Sequence, residues 1–229
     1  MIKAVIFDLD NTLMDFMSTK KASCDAAIDA MIKAGLKTPK NRASKILFSL
    51  YWKKGIEHQT IFQIFLKKIL GKIDYKIMAA GIIAYRRTKN SILKTYPNVK
   101  NVLGKLHRNY KLAILSDAPA LQAWTRLVEM GLEDFFDVVV TYDDTKKHKP
   151  HPKPFMAVLK KLGVKNSEVI MIGDNVMRDV KGANRLGIKS VLASYGNVNP
   201  QKPDIKPGAE IDDINELPAV IKKFQKNAY

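Results

Sequence analysis

The chain has one cysteine, Cys24, among 229 residues. That excludes an intramolecular disulfide and leaves no cysteine cluster for zinc. In its alanine-rich helical surroundings the thiol reads as a small packed side chain rather than a nucleophile. No apolar run approaches the ~20 residues that a membrane span needs. The opening "MIKAVIFD" has neither the apolar core nor the small-residue cleavage site of a signal peptide. Internal repeats and low-complexity tracts are absent, and no sustained heptad or exposed apolar stripe marks an oligomer interface, so the oligomeric state is not readable. The expectation is a soluble, cytoplasmic protein with no membrane partner.

Acids are scarce as well: 22 Asp and Glu stand against 39 Lys and Arg, a net charge of +17. Such a balance points to anionic partners without choosing among nucleic acid, a membrane surface and small phosphorylated compounds. The excess is local, because residues 14–95 hold 17 basic side chains and five acidic ones. Most of these read as a solvated helix surface; a few can steer an anionic substrate. No zinc finger, recognition helix or aromatic-rich strand motif is present, which argues against a dedicated nucleic-acid module.

What is there changes character twice along the chain. The apolar residues that open "VIFDLDNTL" (Val5–Leu13) read as a buried strand. Helical spacing then dominates: Lys20–Ala34 before Gly35, Pro39 to about Gly55, His58–Leu70 before Gly71, and Asp74 to about Ser91. Phe48, Tyr51, Trp52, Phe62, Phe65 and Tyr85 are expected to form the core of this small bundle. Beyond it, short Val-, Ile- and Leu-rich runs alternate with helical stretches. The runs are Tyr110–Asp117, Asp137–Asp143, Glu168–Asn175 and Ile188–Ser194. The helices are Val99–Asn109, Ala120–Met130, Pro154–Leu162 and Asp179–Leu186. "GAEIDDI" adds a last short strand, Glu216–Lys226 a closing helix, and Asn197–Gly208 a surface loop. Strand alternating with helix predicts an α/β fold, a Rossmann-like, mostly parallel sheet with helices on both faces. The expected core is residues 1–13 with 96–229, and the expected insertion is a four-helix cap at 14–95.

Ligands of open parallel sheets bind beyond the carboxyl ends of the strands. Asp8 and Asp10 stand at the first such end, Ser116 and Asp117 at the next, and Asp174 at another, with Asp179 five residues on. Lys149 lies between, in "HKPHPKPF". A carboxylate can attack phosphorus and split hydrolysis into two easier steps, and Asp8 is the candidate nucleophile. Mg²⁺, a hard cation with oxygen ligands, can offset the repulsion between carboxylate and phosphate, with Asp174 as a second carboxylate. Lys149 and the Ser116 hydroxyl can hold phosphoryl oxygens. Asp10 can protonate the leaving alkoxide and then deprotonate water, with Thr12 fixing its orientation by a hydrogen bond. Asp117 lines the phosphate pocket or holds a neighbouring loop. His148 and His151 flank Lys149 and read as residues that shape the loop.

These residues resemble the motifs of the haloacid dehalogenase superfamily. "DLDNT" at Asp8–Thr12 looks like its first motif, "LAILSD" with Ser116 its second, Lys149 in "KPHPKPF" its third, and "IGDNVMRDV" with Asp174 and Asp179 its fourth. The helical insertion is similar to the family's helical cap of the first type. The resemblance implies Mg²⁺ held by the Asp8 and Asp174 side chains and the Asp10 main-chain carbonyl, with Asp179 and Asn175 in support. The chain's layout also resembles archaeal members described as glyceraldehyde 3-phosphate phosphatases, which makes that compound or another sugar phosphate the expected substrate. Members that split carbon–halogen bonds need no metal and lack the second aspartate of the first motif. Asp10 therefore favours phosphoryl transfer over a metal-independent dehalogenase. Phosphonate cleavage through a cap lysine, or a basic nucleic-acid-binding protein without turnover, are the remaining alternatives.

Overall fold

Ala4–Phe7 forms strand β1, and every one of its side chains is buried. The computed structural model describes residues 1–197 and 204–226, so residues 198–203 of the expected Asn197–Gly208 loop lie outside the described residues. After β1 come four helices, α1 (Phe16–Lys33), α2 (Lys40–Lys54), α3 (Ile61–Leu70) and α4 (Tyr75–Ile92). They are followed by α5 (Val99–His107), β2 (Lys111–Leu115), α6 (Ala120–Met130), β3 (Val138–Val140), α7 (Tyr142–Thr145) and α8 (Pro152–Leu162). The chain continues through β4 (Val169–Gly173), α9 (Lys181–Arg185), β5 (Lys189–Ala193), β6 (Ala209–Ile211) and α10 (Leu217–Lys226). Two units result, Met1–Phe16 with Lys94–Tyr229, and Met17–Leu93.

The first unit is built on a six-stranded sheet in the order β3-β2-β1-β4-β5-β6, with every pairing parallel. It is an α/β, Rossmann-like fold. Strand β1 sits at the centre because all four of its side chains are apolar and can be covered from both sides. Ala4 and Ile6 face Phe155, Val158, Leu159 and Leu162 of α8 and Ala183 of α9. Phe7 pairs in register with Ile114 of β2 and Ile172 of β4. The residues that follow these three positions therefore emerge side by side at the carboxyl ends of the strands, where the chain order reverses.

Two segments differ from the sequence-based expectation. The strand expected over Asp137–Asp143 ends at Val140. Thr141 and Asp144 form a capping box there, with Asp144 Oδ2 accepting from Thr141 N–H (2.8 Å) and the Thr141 hydroxyl (2.9 Å), and this starts α7. The helix expected at Asp179–Leu186 begins earlier, as a π-helical turn over Val176–Val180 that feeds α9. Asn175 caps that turn by accepting from Arg178 N–H at 3.0 Å.

Helix α6 turns Ala123, Arg126, Leu127 and Met130 inward, and leaves Leu121, Trp124 and Val128 exposed. The spacing of three and then four residues places those three on one helical face, so an exposed apolar stripe does exist, contrary to the sequence-based expectation. It is short and interrupted in sequence by polar and buried residues.

The second unit is helical and has its own core. Cys24, Ala27, Ile28 and Met31 of α1 pack with Leu47 and Tyr51 of α2 and with Ile61, Phe62, Phe65 and Leu66 of α3. Gly71 ends α3 in a left-handed conformation (φ 75°), and the Asp74 carboxylate caps α4 by accepting from Ile77 N–H at 3.0 Å. Tyr51, Phe62 and Phe65 are buried, and Phe48 and Tyr85 are partly so. Trp52 is not a core residue: it is 67% exposed, because it follows the inward-facing Tyr51 by one residue, about 100° round the helix. Burial pushes the Cys24 thiol up to about 11, so it is a packed, protonated side chain. Lys20 is buried with its ammonium 4.1 Å from the centre of the Tyr51 ring. Among the described residues, no helix is long and apolar enough to cross a membrane.

Candidate active site

The sheet delivers Asp8, Ser116 and Asp174 to the same end, one residue or so beyond β1, β2 and β4. The main-chain N–H of Asp8 still donates to Ile172 O at 2.8 Å, and that of Ser116 to Val140 O at 2.9 Å, so both sit on rigid strand ends. Asp8, Ser116, Lys149, Asp174 and Asp179 are all buried. Lys149 reaches the site from the loop before α8. Its ammonium donates to Asp8 Oδ1 (2.5 Å) and to Leu115 O (2.9 Å), and lies 2.7 Å from Asp179 Oδ1. Burial alone would discharge this amine, but Asp179, Asp8 and Asp117 together hold it above the ordinary lysine value. It is a permanent cation at the head of β1.

The carboxylates outnumber that cation. Asp8, Asp174 and Asp179 each offer an oxygen within 4.8 Å of the others. Burial, followed by the charges of Asp8 and Asp179, pushes the Asp174 carboxyl up to about 9. Burial also raises Asp179, to about 6, against the pull of Lys149. An all-oxygen set with surplus negative charge fits a hard divalent cation such as Mg²⁺. Asp8 and Asp179 share the Lys149 ammonium, and Asp179 Oδ2 also accepts from the Asn175 N–H at 3.0 Å.

Thr12 does not hold Asp10 as expected. Its hydroxyl donates to Asp8 Oδ2 (3.3 Å) and to Asp174 Oδ1 (3.4 Å), and accepts from Asp174 N–H (3.1 Å). The cause is Asn11, whose left-handed backbone (φ 62°) breaks the strand alternation and turns Thr12 towards β4. Asp10 is held instead by Arg126, whose Nη1 donates to its Oδ2 at 2.8 Å. Asp117 anchors the neighbouring loop: it accepts from Lys149 N–H at 2.8 Å and from Arg178 Nη1 at 3.3 Å. His151 Nδ1 caps α8 by accepting from Lys153 N–H (3.1 Å), and the His148 ring stacks on Tyr142.

Three contributors escaped the sequence reading. Arg126 had a signal: it breaks the apolar face Ala123, Leu127, Met130 of its helix. Arg178 reaches Asp117 from the turn after β4, and nothing in its context pointed there. Tyr195 follows β5, and its hydroxyl donates to Thr12 O at 2.9 Å. The adjacent Gly196 lies so close to the first-motif loop that a Cβ there would stand 1.6 Å from Asn11 O.

The family model for haloacid dehalogenase-like hydrolases matches residues 5–193, a span that includes all the residues above except Tyr195 and Gly196. The chain is a haloacid dehalogenase-like hydrolase. Two relatives of this hydrolase are glyceraldehyde 3-phosphate phosphatases. That of Methanopyrus kandleri is 34% identical, over 99% of this chain and 100% of its own. That of Methanocaldococcus jannaschii is 32% identical, over 99% and 100%. Among solved structures, a phosphatase of the family from Thermococcus onnurineus superposes with a TM-score of 0.71 at 27% identity, over 96% of this chain and 98% of its own. With these relatives, the hydrolase is an enzyme that cleaves phosphate esters.

Proposed function

We propose that the enzyme is a cytoplasmic, Mg²⁺-dependent phosphatase for a small phosphorylated metabolite, acting through an aspartyl-phosphate on Asp8. The observation that carries this reading is the Lys149 ammonium wedged between Asp8 and Asp179 in a buried pocket that still has a surplus of carboxylate. A pure binding site for anions would not place three acids there. Asp8 and Asp174, with the Asp10 main-chain carbonyl, are assigned as the Mg²⁺ ligands, and Asn175 and Asp179 as their support. Bound there, Mg²⁺ neutralises the carboxylates and the phosphate so that the two can approach.

Asp8 Oδ attacks phosphorus, and the bond from phosphorus to the substrate oxygen breaks. Asp10 gives that oxygen its proton. Water then attacks the phosphorus, Asp10 takes the water's proton, and the bond from phosphorus to Asp8 breaks, which releases inorganic phosphate and restores both side chains. Lys149 and the Ser116 hydroxyl hold phosphoryl oxygens throughout. Asp117 acts by holding the Lys149 loop, which its two accepted hydrogen bonds support. The helical unit is assigned the choice of substrate, and its excess of lysine and arginine favours anions. The full-length likeness to two glyceraldehyde 3-phosphate phosphatases supports that compound, or another sugar phosphate, as substrate.

The test is hydrolysis of p-nitrophenyl phosphate and of glyceraldehyde 3-phosphate by wild type and Asp8→Asn, with Mg²⁺ and with EDTA. Turnover that needs both Asp8 and the metal is expected. Turnover that persists in EDTA, or in Asp8→Asn, would overturn the mechanism.

A further inference from the structure

Arg126 is only 3% exposed, on the inward face of α6. A guanidinium is costly to bury, and removing its partner leaves a charge without compensation. Contacts within the first unit help to place it. Its Nη1 donates to Asp10 Oδ2 at 2.8 Å, and its guanidinium carbon lies 4.5 Å from the centre of the Phe16 ring. The three residues come from separate places in the first unit: the end of β1, the start of α1 and the middle of α6.

We propose that Arg126 is the positioning residue for Asp10, fixing the carboxylate that moves protons in both half-reactions. This rests on the phosphatase reading above. Asp10 lies three residues past the end of β1, and the next residue already turns away at φ 62°. The neighbouring hydroxyl of Thr12 is taken up by Asp8 and Asp174. Arg126 brings this carboxylate a donor carried on a separate helix and itself buried. A guanidinium suits that task better than an ammonium: it is a planar fork, and it lies over the face of the Phe16 ring, which restrains it. One acid must serve first the leaving oxygen and then the attacking water, and a misplacement of about 1 Å can cost about 100-fold. The position of α6, set by Ala123, Leu127 and Met130 in the core, thereby governs the geometry of a group on another element.

The test separates positioning from simple structural support by using the leaving group. A p-nitrophenolate leaves with little need of a proton; an alkoxide needs one. The quantity is kcat/KM, which reports phosphoryl transfer to the enzyme, for p-nitrophenyl phosphate and for an alkyl phosphate such as glycerol 3-phosphate. The variants are Arg126→Met and Arg126→Lys, each in the wild-type and Asp10→Asn backgrounds. Arg126→Met is expected to lose about 100-fold on the alkyl ester and no more than a few-fold on the aryl ester. Arg126→Lys should recover part of the alkyl loss. In the Asp10→Asn background, Arg126→Met should change either rate by less than about twofold. Phe16→Leu, which removes neither charge, provides the same readout if Arg126→Met does not fold, with a smaller loss again confined to the alkyl ester. Equal losses on both esters, or an undiminished loss in the Asp10→Asn background, would overturn the assignment and leave the phosphatase reading intact. An Asp10→Asn enzyme as active as wild type on the alkyl ester would overturn both.

Discussion

Lys149 and Asp179 form an ion pair 2.7 Å long in which each side chain is 2% exposed. Together with the Lys149 bond to Asp8, it ties the loop before α8 to the turns after β1 and β4. Replacing the lysine by methionine leaves two buried carboxylates facing each other. Breaking a buried pair in this way costs about 3–5 kcal/mol, and that loss is expected in urea unfolding of Lys149→Met at about pH 7.5 without divalent cations. At about pH 5 the loss should shrink, because Asp179, pushed up to about 6, is then largely neutral. A loss of equal size at both pH values would contradict the charge account.

Asp174 supplies a second pH dependence, through the metal. Its carboxyl has an ordinary value of 3.8 and is pushed up to about 9 by burial and then by Asp8 and Asp179. Below 3.8 it is protonated in the folded and the unfolded chain alike. Between 3.8 and about 9 only the folded chain keeps the proton. Stability of the metal-free protein through this group therefore falls as the pH rises, and the loss is complete above about 9. Coordination requires the carboxylate, so Mg²⁺ should displace about one proton at about pH 7.5 and almost none near pH 10. Titration calorimetry in two buffers of different ionisation heat measures that proton directly. Binding with no proton release at neutral pH would mean that Asp174 is already ionised in the metal-free protein or is not a ligand, and would contradict this account.

Much of this was legible before any coordinates. The parallel sheet follows from apolar runs with no polar alternation, since strands covered on both faces leave no reason for a polar residue. Asp8, Ser116 and Asp174 stood out together, as polar residues at the ends of successive apolar runs with Lys149 in the loop between, where any one of them alone would read as a solvated loop residue. Local signals carried the helical unit equally well, in Gly71 and Asp74 at the ends of α3 and α4. What failed were relationships that depend on one dihedral or one helix phase. Thr12 was assigned to Asp10 by its nearness in sequence, and the turn at Asn11 sent it to Asp174. Trp52 was assigned to the core by its residue type, and its place one step beyond Tyr51 put it outside. Arg126 was passed over because an arginine in a helix is ordinarily solvated, although its position on an apolar face marked it.

Two glycines give a prediction in which one substitution harms the site and the other the fold. At Gly173, the last residue of β4, a Cβ would stand 2.3 Å from Asp179 Cγ and 2.4 Å from Asp179 Oδ2. The carboxylate can rotate aside, which breaks the contact with Lys149, but the Asp179 Cβ also lies 2.6 Å away, so the turn after β4 has to shift slightly as well. Gly173→Ala should fold with a modest loss of stability, about 1–3 kcal/mol, and should lose about 100-fold in kcat as Lys149 loses its orienting partner. At Gly196 a Cβ would lie 1.6 Å from the main-chain oxygen of Asn11. No rotamer relieves that contact, so the turn after β5 or the first-motif loop has to move, and the Tyr195 bond to Thr12 goes with it. Gly196→Ala is therefore expected to lose more stability than Gly173→Ala, and to lose activity only in proportion to its unfolded fraction and the displacement of Asp8. Thermal unfolding and kcat measured on both variants check the pair. If Gly173→Ala kept full activity, the Asp179–Lys149 contact would be dispensable for turnover, and the account of how Lys149 is held would have to be given up.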